Sequence, residues 1–194
     1  TRIHDILDSV YEKDSLTIDP RDPMSFKRGA GLKGKGVKED GTPFIVMEAL
    51  KGETLQGRIA KGALTVSETL DIGIQLADAL EAAHSQGIVH RDIKPANIMY
   101  EPEADQVKVA DFGIARITDS SKTKTGMVLG TPSYMSPEQL SGKKVDGRSD
   151  LFSLAVSLYQ LLCGKLPFEG DSMAQLMFKI ANEPAPDIRA TNPA

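Results

Sequence analysis

The residues with the most chemistry to offer lie in one short run, His90-Arg91-Asp92-Ile93-Lys94-Pro95-Ala96-Asn97. Transfer of a phosphoryl group needs a carboxylate beside the attacking hydroxyl, a cation on the phosphate and oxygen ligands for magnesium. Asp92, Lys94 and Asn97 supply one of each in a single tight loop. Fourteen residues after Asn97 comes Asp111-Phe112-Gly113, a second carboxylate on a loop after the short strand expected at 107–109. Gly130-Thr131-Pro132 and Ser136-Pro137-Glu138 follow in order. Singly, each signal is weak, because a lone Asp-Phe-Gly or a lone Asn is ordinarily a turn. Their weight comes from joint order and spacing.

Loops of this kind must be held by regular elements. The three-four spacing of Leu70, Ile74, Ala77, Leu80 and His84 predicts a helix from about Ser67 to Gln86, with Ser67 as cap and Gly87 as stop. Short strands are expected at Ile88-Val89, Ile98-Met99-Tyr100 and Val107-Lys108-Val109. Residues 114–131, rich in Ser, Thr, Lys and Gly, read as a loop. Ser136-Pro137 has the form of a helix start, a Ser cap with Pro in the first turn. A second long helix is expected from Ser149 to Cys163 with the face Leu151, Leu154, Leu158 and Leu161, closed by Gly164. A third is expected from Ser172 to Asn182, followed by a linker at 183–187. Before all of these, residues 2–7 and Phe44-Ile45-Val46-Met47 read as strands, and residues 8–42 as a long loop or insertion.

The ordered motifs together resemble the signature set of the protein kinase family, over roughly residues 43–190. The resemblance implies an α+β fold of that type, chiefly the helical large lobe with a remnant of the small-lobe sheet. It divides the chain into a small-lobe remnant with hinge at 1–50, carrying the insertion at 8–42, and a large lobe at 51–194. It implies a Ser/Thr protein kinase of bacterial type that passes the ATP γ-phosphate to protein hydroxyls with Mg²⁺. Asp92 then resembles the catalytic base, and Lys94 the lysine on the transferring phosphate of Ser/Thr-specific members. Asn97 and Asp111 resemble the magnesium ligands. Met47 resembles the gatekeeper, Glu48 and Leu50 the hinge backbone at the adenine edge, and Met99 the residue beneath the ring. Arg91 would meet a phosphate on the loop before Glu138, with Thr125 and then Thr123 as its acceptors, and Thr131 would help select a Ser/Thr substrate. Asp150 resembles the aspartate that holds the catalytic-loop backbone. Its plain alternative is a carboxylate favoured by the N-terminal end of a helix. His90 and Phe112 resemble supports of the loop geometry, while His84 and His4 read as structural.

Gly29-Ala30-Gly31-Leu32-Lys33-Gly34 has the form G-x-G-x-x-G, yet only residues 35–43 separate it from the hinge strand. That is too short for the strand, helix and strand that follow a phosphate-covering loop, so Lys33, Lys35 and Lys38 read as solvated charges. The family's ATP-pairing lysine and its glutamate partner have no counterpart here. Its last helices, with the arginine that pairs Glu138, have none either. The chain is therefore expected to be a fragment, cut after the third large helix, that transfers no phosphate alone. The missing lysine keeps a non-catalytic interaction module as an alternative, opposed by Asp92, Asn97 and Asp111. A small-molecule phosphotransferase is a second alternative, opposed by the Gly130 and Ser136 segments, which suit a peptide platform.

Composition narrows the partners. A net charge of -4 with 26% charged residues gives no reason to expect nucleic acid or an anionic membrane. With 40% hydrophobic residues and no bilayer-length apolar run, the chain reads as globular and cytoplasmic, without membrane contact from this segment. One cysteine, Cys163, forbids an internal disulfide and reads as a buried small hydrophobe. The partners implied are protein substrates with Ser/Thr acceptors, and a dimer for autophosphorylation.

Overall fold

The computed structural model describes residues 32–37, 43–47, 50–110 and 132–192. The chain divides after Leu50 into two compact units. In the first, β1 (Leu32–Val37) pairs antiparallel with β2 (Pro43–Met47), in a register running from Leu32 opposite Met47 to Val37 opposite Pro43. β2 is the strand expected at Phe44–Met47. β1 corrects the long loop expected over 8–42, and it takes in Leu32, Lys33 and Gly34 of the glycine run. The glycines and lysines of β1 have poor strand propensity, but an apolar, β-branched partner strand overrides a weak local preference. The strand expected at residues 2–7 lies outside the described residues.

The second unit is mostly helical, with one three-stranded antiparallel sheet in the order β3 (Glu53–Thr54), β4 (Ile98–Glu101), β5 (Gln106–Val109). β4 and β5 match the expected strands. Ile88-Val89 does not; among the described residues it has no ladder partner. β3 and the short helix α1 (Leu55–Ile59) had no sequence signal beyond Thr54, whose hydroxyl caps α1 by accepting the Gly57 N–H at 3.0 Å.

Helix α2 (Val66–His84) starts on a capping box in which Thr65 and Glu68 satisfy each other's backbone N–H groups. Arg58 of α1 bonds Glu68 and lies 4.5 Å over the Tyr100 ring, tying α1, α2 and β4 together. The buried stripe of α2 is Thr69, Ile72, Leu76, Leu80 and Ala83. This corrects part of the expected face: Leu80 is buried as expected, but Leu70 and Ile74 are each 60% exposed. Two interleaved sets of apolar residues share the helical spacing, and tertiary packing selected the other one.

Helix α3 (Pro137–Leu140) has the expected Ser136 cap. Helix α4 (Gly147–Cys163) begins on Asp146 and ends on Gly164, whose φ of 70° is the left-handed conformation that closes helices. Its expected apolar face is half right: Leu154 and Leu161 are buried, whereas Leu151 is 51% exposed. Val156 and Tyr159 are buried with them, and much of the remaining buried surface is polar, with Ser149, Asp150, Ser153 and Ser157 almost wholly inside. The hydroxyls avoid the cost of burial by donating to carbonyls, Ser153 to Tyr134 at 2.7 Å and Ser157 to Ser153 at 2.8 Å. The main core joins Leu55, Leu76, Leu80, Ile93, Ile98, Leu154 and Leu161. Full burial of each such side chain contributes about 1.5–3 kcal/mol. A second cluster, Phe168, Leu176 and Ile180, seats α5 (Met173–Asn182). A short helix, α6 (Ile188–Thr191), follows the expected linker. Among the described residues no helix is long and apolar enough to cross a membrane.

Candidate active site

The site is built from the end of α2, the start of α4 and the run between them. After α2 the chain turns at Ser85–Gly87 and brings His90 and Arg91 against the first turn of α4. Asp150 there is fully buried, and its carboxylate accepts three N–H groups. The His90 amide donates to Oδ2 at 2.8 Å, the Arg91 amide to Oδ1 at 2.7 Å, and His84 Nε2 lies 2.8 Å from Oδ2. A carboxylate so deeply buried is tolerable only with such a complement of donors. Asp150 thus holds backbone, and its position in a helix's first turn is only part of its setting. His84 is the donor that sequence reasoning missed. Its ring lies so close to α4 that a Cβ on Gly147 would stand 2.7 Å from Nδ1. The glycine opening α4 was the available signal.

Arg91 has φ 69°, rare for a residue with a side chain. His90, fully buried, accepts the Asp92 amide on Nδ1 at 3.2 Å and faces the Ala110 carbonyl with Nε2 at 3.2 Å. Those partners select the tautomer with hydrogen on Nε2. Ile93 and Ile98, both fully buried, plug the two ends of the following turn into the core. Between them Pro95–Asn97 form one turn of 3-10 helix, starting on buried Pro95. Asn97 is fixed on both sides: its amide reaches the Lys94 carbonyl at 2.9 Å, and its carbonyl accepts the Ala110 amide at 2.8 Å.

This frame gathers the three residues singled out for phosphoryl chemistry. Lys94 Nζ sits 2.8 Å from Asp92 Oδ2 and 3.1 Å from Oδ1. Asn97 Nδ2 donates to the same Oδ2 at 2.9 Å and to the Asp92 carbonyl at 3.0 Å. The Asp92 side chain remains about half exposed, at 49%. One carboxylate is therefore held in direction by a cation and an amide while one side stays open to a reactant.

A platform follows in sequence. Tyr134 is buried, donates to Gln160 at 2.6 Å, and has its phenol pushed up by burial. Ser136, fully buried, exchanges bonds with Gln139. The absence of the family's arginine partner for Glu138 would leave that carboxylate buried and unpaired. Glu138 is instead only partly buried and accepts from the Ser149 hydroxyl. Burial pushes its carboxyl up, but bonds from Ser149, its own backbone and Ser136 outweigh this and hold it below the ordinary value.

Of the other predicted residues, Arg91 is exposed beside Asp92, and Met99 is partly buried on β4 opposite Thr54 and Lys108. Leu50 is partly buried, and Met47 ends β2. Glu48, Asp111, Phe112, Thr123, Thr125 and Thr131 lie outside the described residues. Ser149, like His84, carried no motif signal, and the capping-box position of Gln139 gave none for its bond to Arg91; these roles are visible through contacts.

Residues 35–192 match the family model described as protein kinase domain. Serine/threonine-protein kinase pkn3 of Myxococcus xanthus is 47% identical over 164 residues, covering 79% of this chain and 30% of that protein. The probable serine/threonine-protein kinase PknB of Corynebacterium glutamicum is 43% identical over 191 residues, covering 88% and 29%. Serine/threonine-protein kinase PknA of Mycobacterium tuberculosis is 42% identical over 152 residues, covering 77% and 35%. The chain spans about a third of the length of these curated relatives. With the catalytic-loop geometry and a match across most of its length, the chain belongs to the protein kinase family.

Proposed function

We propose that this chain carries the phosphotransfer centre of a serine/threonine protein kinase. The observation that carries the reading is the half-exposed Asp92 carboxylate, aimed by Lys94 and Asn97 on a loop anchored to buried Asp150. In this reading Asp92 accepts the hydrogen bond of a substrate Ser or Thr hydroxyl and takes its proton as the hydroxyl oxygen bonds to the γ-phosphorus of ATP. The bond from that phosphorus to the leaving oxygen breaks, and its electron pair leaves with ADP. Lys94 keeps donor capacity beyond Asp92 and neutralises oxygens of the transferring group.

The donor set suits magnesium. Asn97 spends its amide nitrogen on Asp92, which leaves Oδ1, a hard oxygen, as the polar atom for a cation. Asp111 is the second proposed ligand. Magnesium, when bound, offsets phosphate charge and orients the phosphates. Family membership further supports the backbones of Glu48 and Leu50 at the adenine edge, Met47 as gatekeeper and Met99 under the ring. It likewise supports residues 1–50 as small lobe with hinge, and residues 51–194 as large lobe. Arg91 is the proposed receiver of a phosphate on Thr125 or Thr123, and Thr131 the residue beside Asp92 that favours Ser/Thr acceptors. Protein substrates and a dimer for autophosphorylation belong to the same reading.

The test is phosphate transfer from labelled ATP to a protein substrate by the complete protein, beside Asp92→Asn. Loss of about 10²–10⁴-fold is expected. Turnover near the parental rate would remove Asp92 from the chemistry and the proposal with it.

A further inference from the structure

The peptide joining Arg91 to Asp92 is held at both of its polar atoms. Its N–H, which belongs to Asp92, donates to His90 Nδ1 at 3.2 Å. Its carbonyl, which belongs to Arg91, accepts from Gln139 Nε2 at 2.9 Å. Rotation of this one peptide would swing the Asp92 side chain. Arg91 needs such restraint, because φ 69° is a conformation that the chain does not keep without support. Asp150 supports the amide before it, from α4, and Gln139 supports the carbonyl after it, from α3.

Gln139 divides its side chain between two tasks. Its Oε1 accepts the Ser136 amide at 3.0 Å and completes the capping box that starts α3. Its Nε2 reaches 48 residues back to Arg91. A capping box accepts Glu or Gln alike at this position. Only Gln can also donate to a carbonyl. The cross-link therefore explains a choice that helix capping leaves open.

We propose that Gln139 is a positioning residue for phosphotransfer, a latch through which helix α3 fixes the Arg91–Asp92 peptide and so the aim of Asp92. The orientation of the catalytic carboxylate then depends on α3 being formed and seated. The proposal rests on the phosphotransfer reading of Asp92, and the experiment separates the two.

Gln139→Glu keeps the cap and loses the donor. Gln139→Met keeps the length, carries no charge and loses both. In the complete protein, both variants are expected to lower kcat about 10–100-fold with KM for ATP unchanged, because small misplacement of a reacting group costs rate rather than ground-state binding. Hydrogen exchange of the Asp92 amide should quicken about tenfold in both. A pure capping role predicts that Gln139→Met is impaired and Gln139→Glu is not. A pure charge effect predicts the reverse. Either pattern overturns the latch. Asp92→Asn runs in parallel: if it keeps parental turnover, the phosphotransfer reading fails, and the exchange rates of the two Gln139 variants still decide whether the latch exists. If Asp92→Asn loses turnover while both Gln139 variants keep parental kcat and exchange, the latch alone is wrong.

Discussion

Asp150 and Asp92 sit on either side of one stretch of backbone and are treated in opposite ways. Asp150 has no exposed side-chain surface, and its partners among the described residues are N–H groups that the fold must satisfy. Asp92 is 49% exposed and is met by a lysine and an amide rather than by the main chain. The first carboxylate uses its charge to hold a loop still, and the second is held still so that its charge remains usable. Removing the one should cost stability, and removing the other should cost chemistry.

The largest effect is expected at the buried member. Asp150→Ala leaves the amides of His90 and Arg91 and the ring of His84 without their acceptor, and should lower unfolding stability by about 3–5 kcal/mol. Denaturant unfolding measures this, and a loss below about 1 kcal/mol would break the comparison at its root. Leu76→Ala, in the core beneath the same loop, should cost about 2–5 kcal/mol through its cavity. It sharpens the contrast, because amide exchange at His90 and Arg91 should follow global stability in Leu76→Ala but exceed it in Asp150→Ala. Gly147→Ala drives a methyl into the His84 ring and should cost about 1–3 kcal/mol by overpacking, visible as a lower unfolding midpoint.

The smallest effect concerns Asp146, the exposed cap of α4. Bonds from the Arg148 side chain and amide lower its carboxyl to about 2. A depressed carboxylate stabilises the fold above its ordinary value near 3.8 and ceases to do so as pH falls through about 2. Between those values the parent should lose more stability than Asp146→Asn, by a margin that shrinks with added salt. Equal acid profiles for the two would show the cap bond to be inert.

The proximity within residues 90–97 was legible because phosphoryl chemistry restricts residue type and order together: Asp92, Lys94 and Asn97 were singled out from sequence and stand within bonding distance. Helix ends were legible where caps marked them, as at Ser136, Ser172 and Gly164. Helix faces were legible only in part, with Leu80, Leu154 and Leu161 buried as expected. Leu70 on α2 and Leu151 on α4 fit an apolar stripe but are exposed; α2 buries the Ile72 and Leu76 side instead, and α4 buries serines and an aspartate that hydropathy counts as surface. β1 was hidden by its glycines and lysines, since strand formation there depends on β2 rather than on local preference. The supports His84, Gln139 and Ser149 were illegible for a related reason. Each acts through a long-range bond to a residue that only the fold brings near.

The most direct test of the division between the two aspartates is the unfolding free energy of Asp92→Asn. The amide preserves shape and loses only a half-exposed ion pair with Lys94, which is worth about 1 kcal/mol at most. The prediction is a stability within about 1 kcal/mol of the parent, in a variant that has lost phosphotransfer. A loss of about 3 kcal/mol or more, the scale expected for Asp150, would contradict the account, because Asp92 would then hold the fold rather than await a substrate.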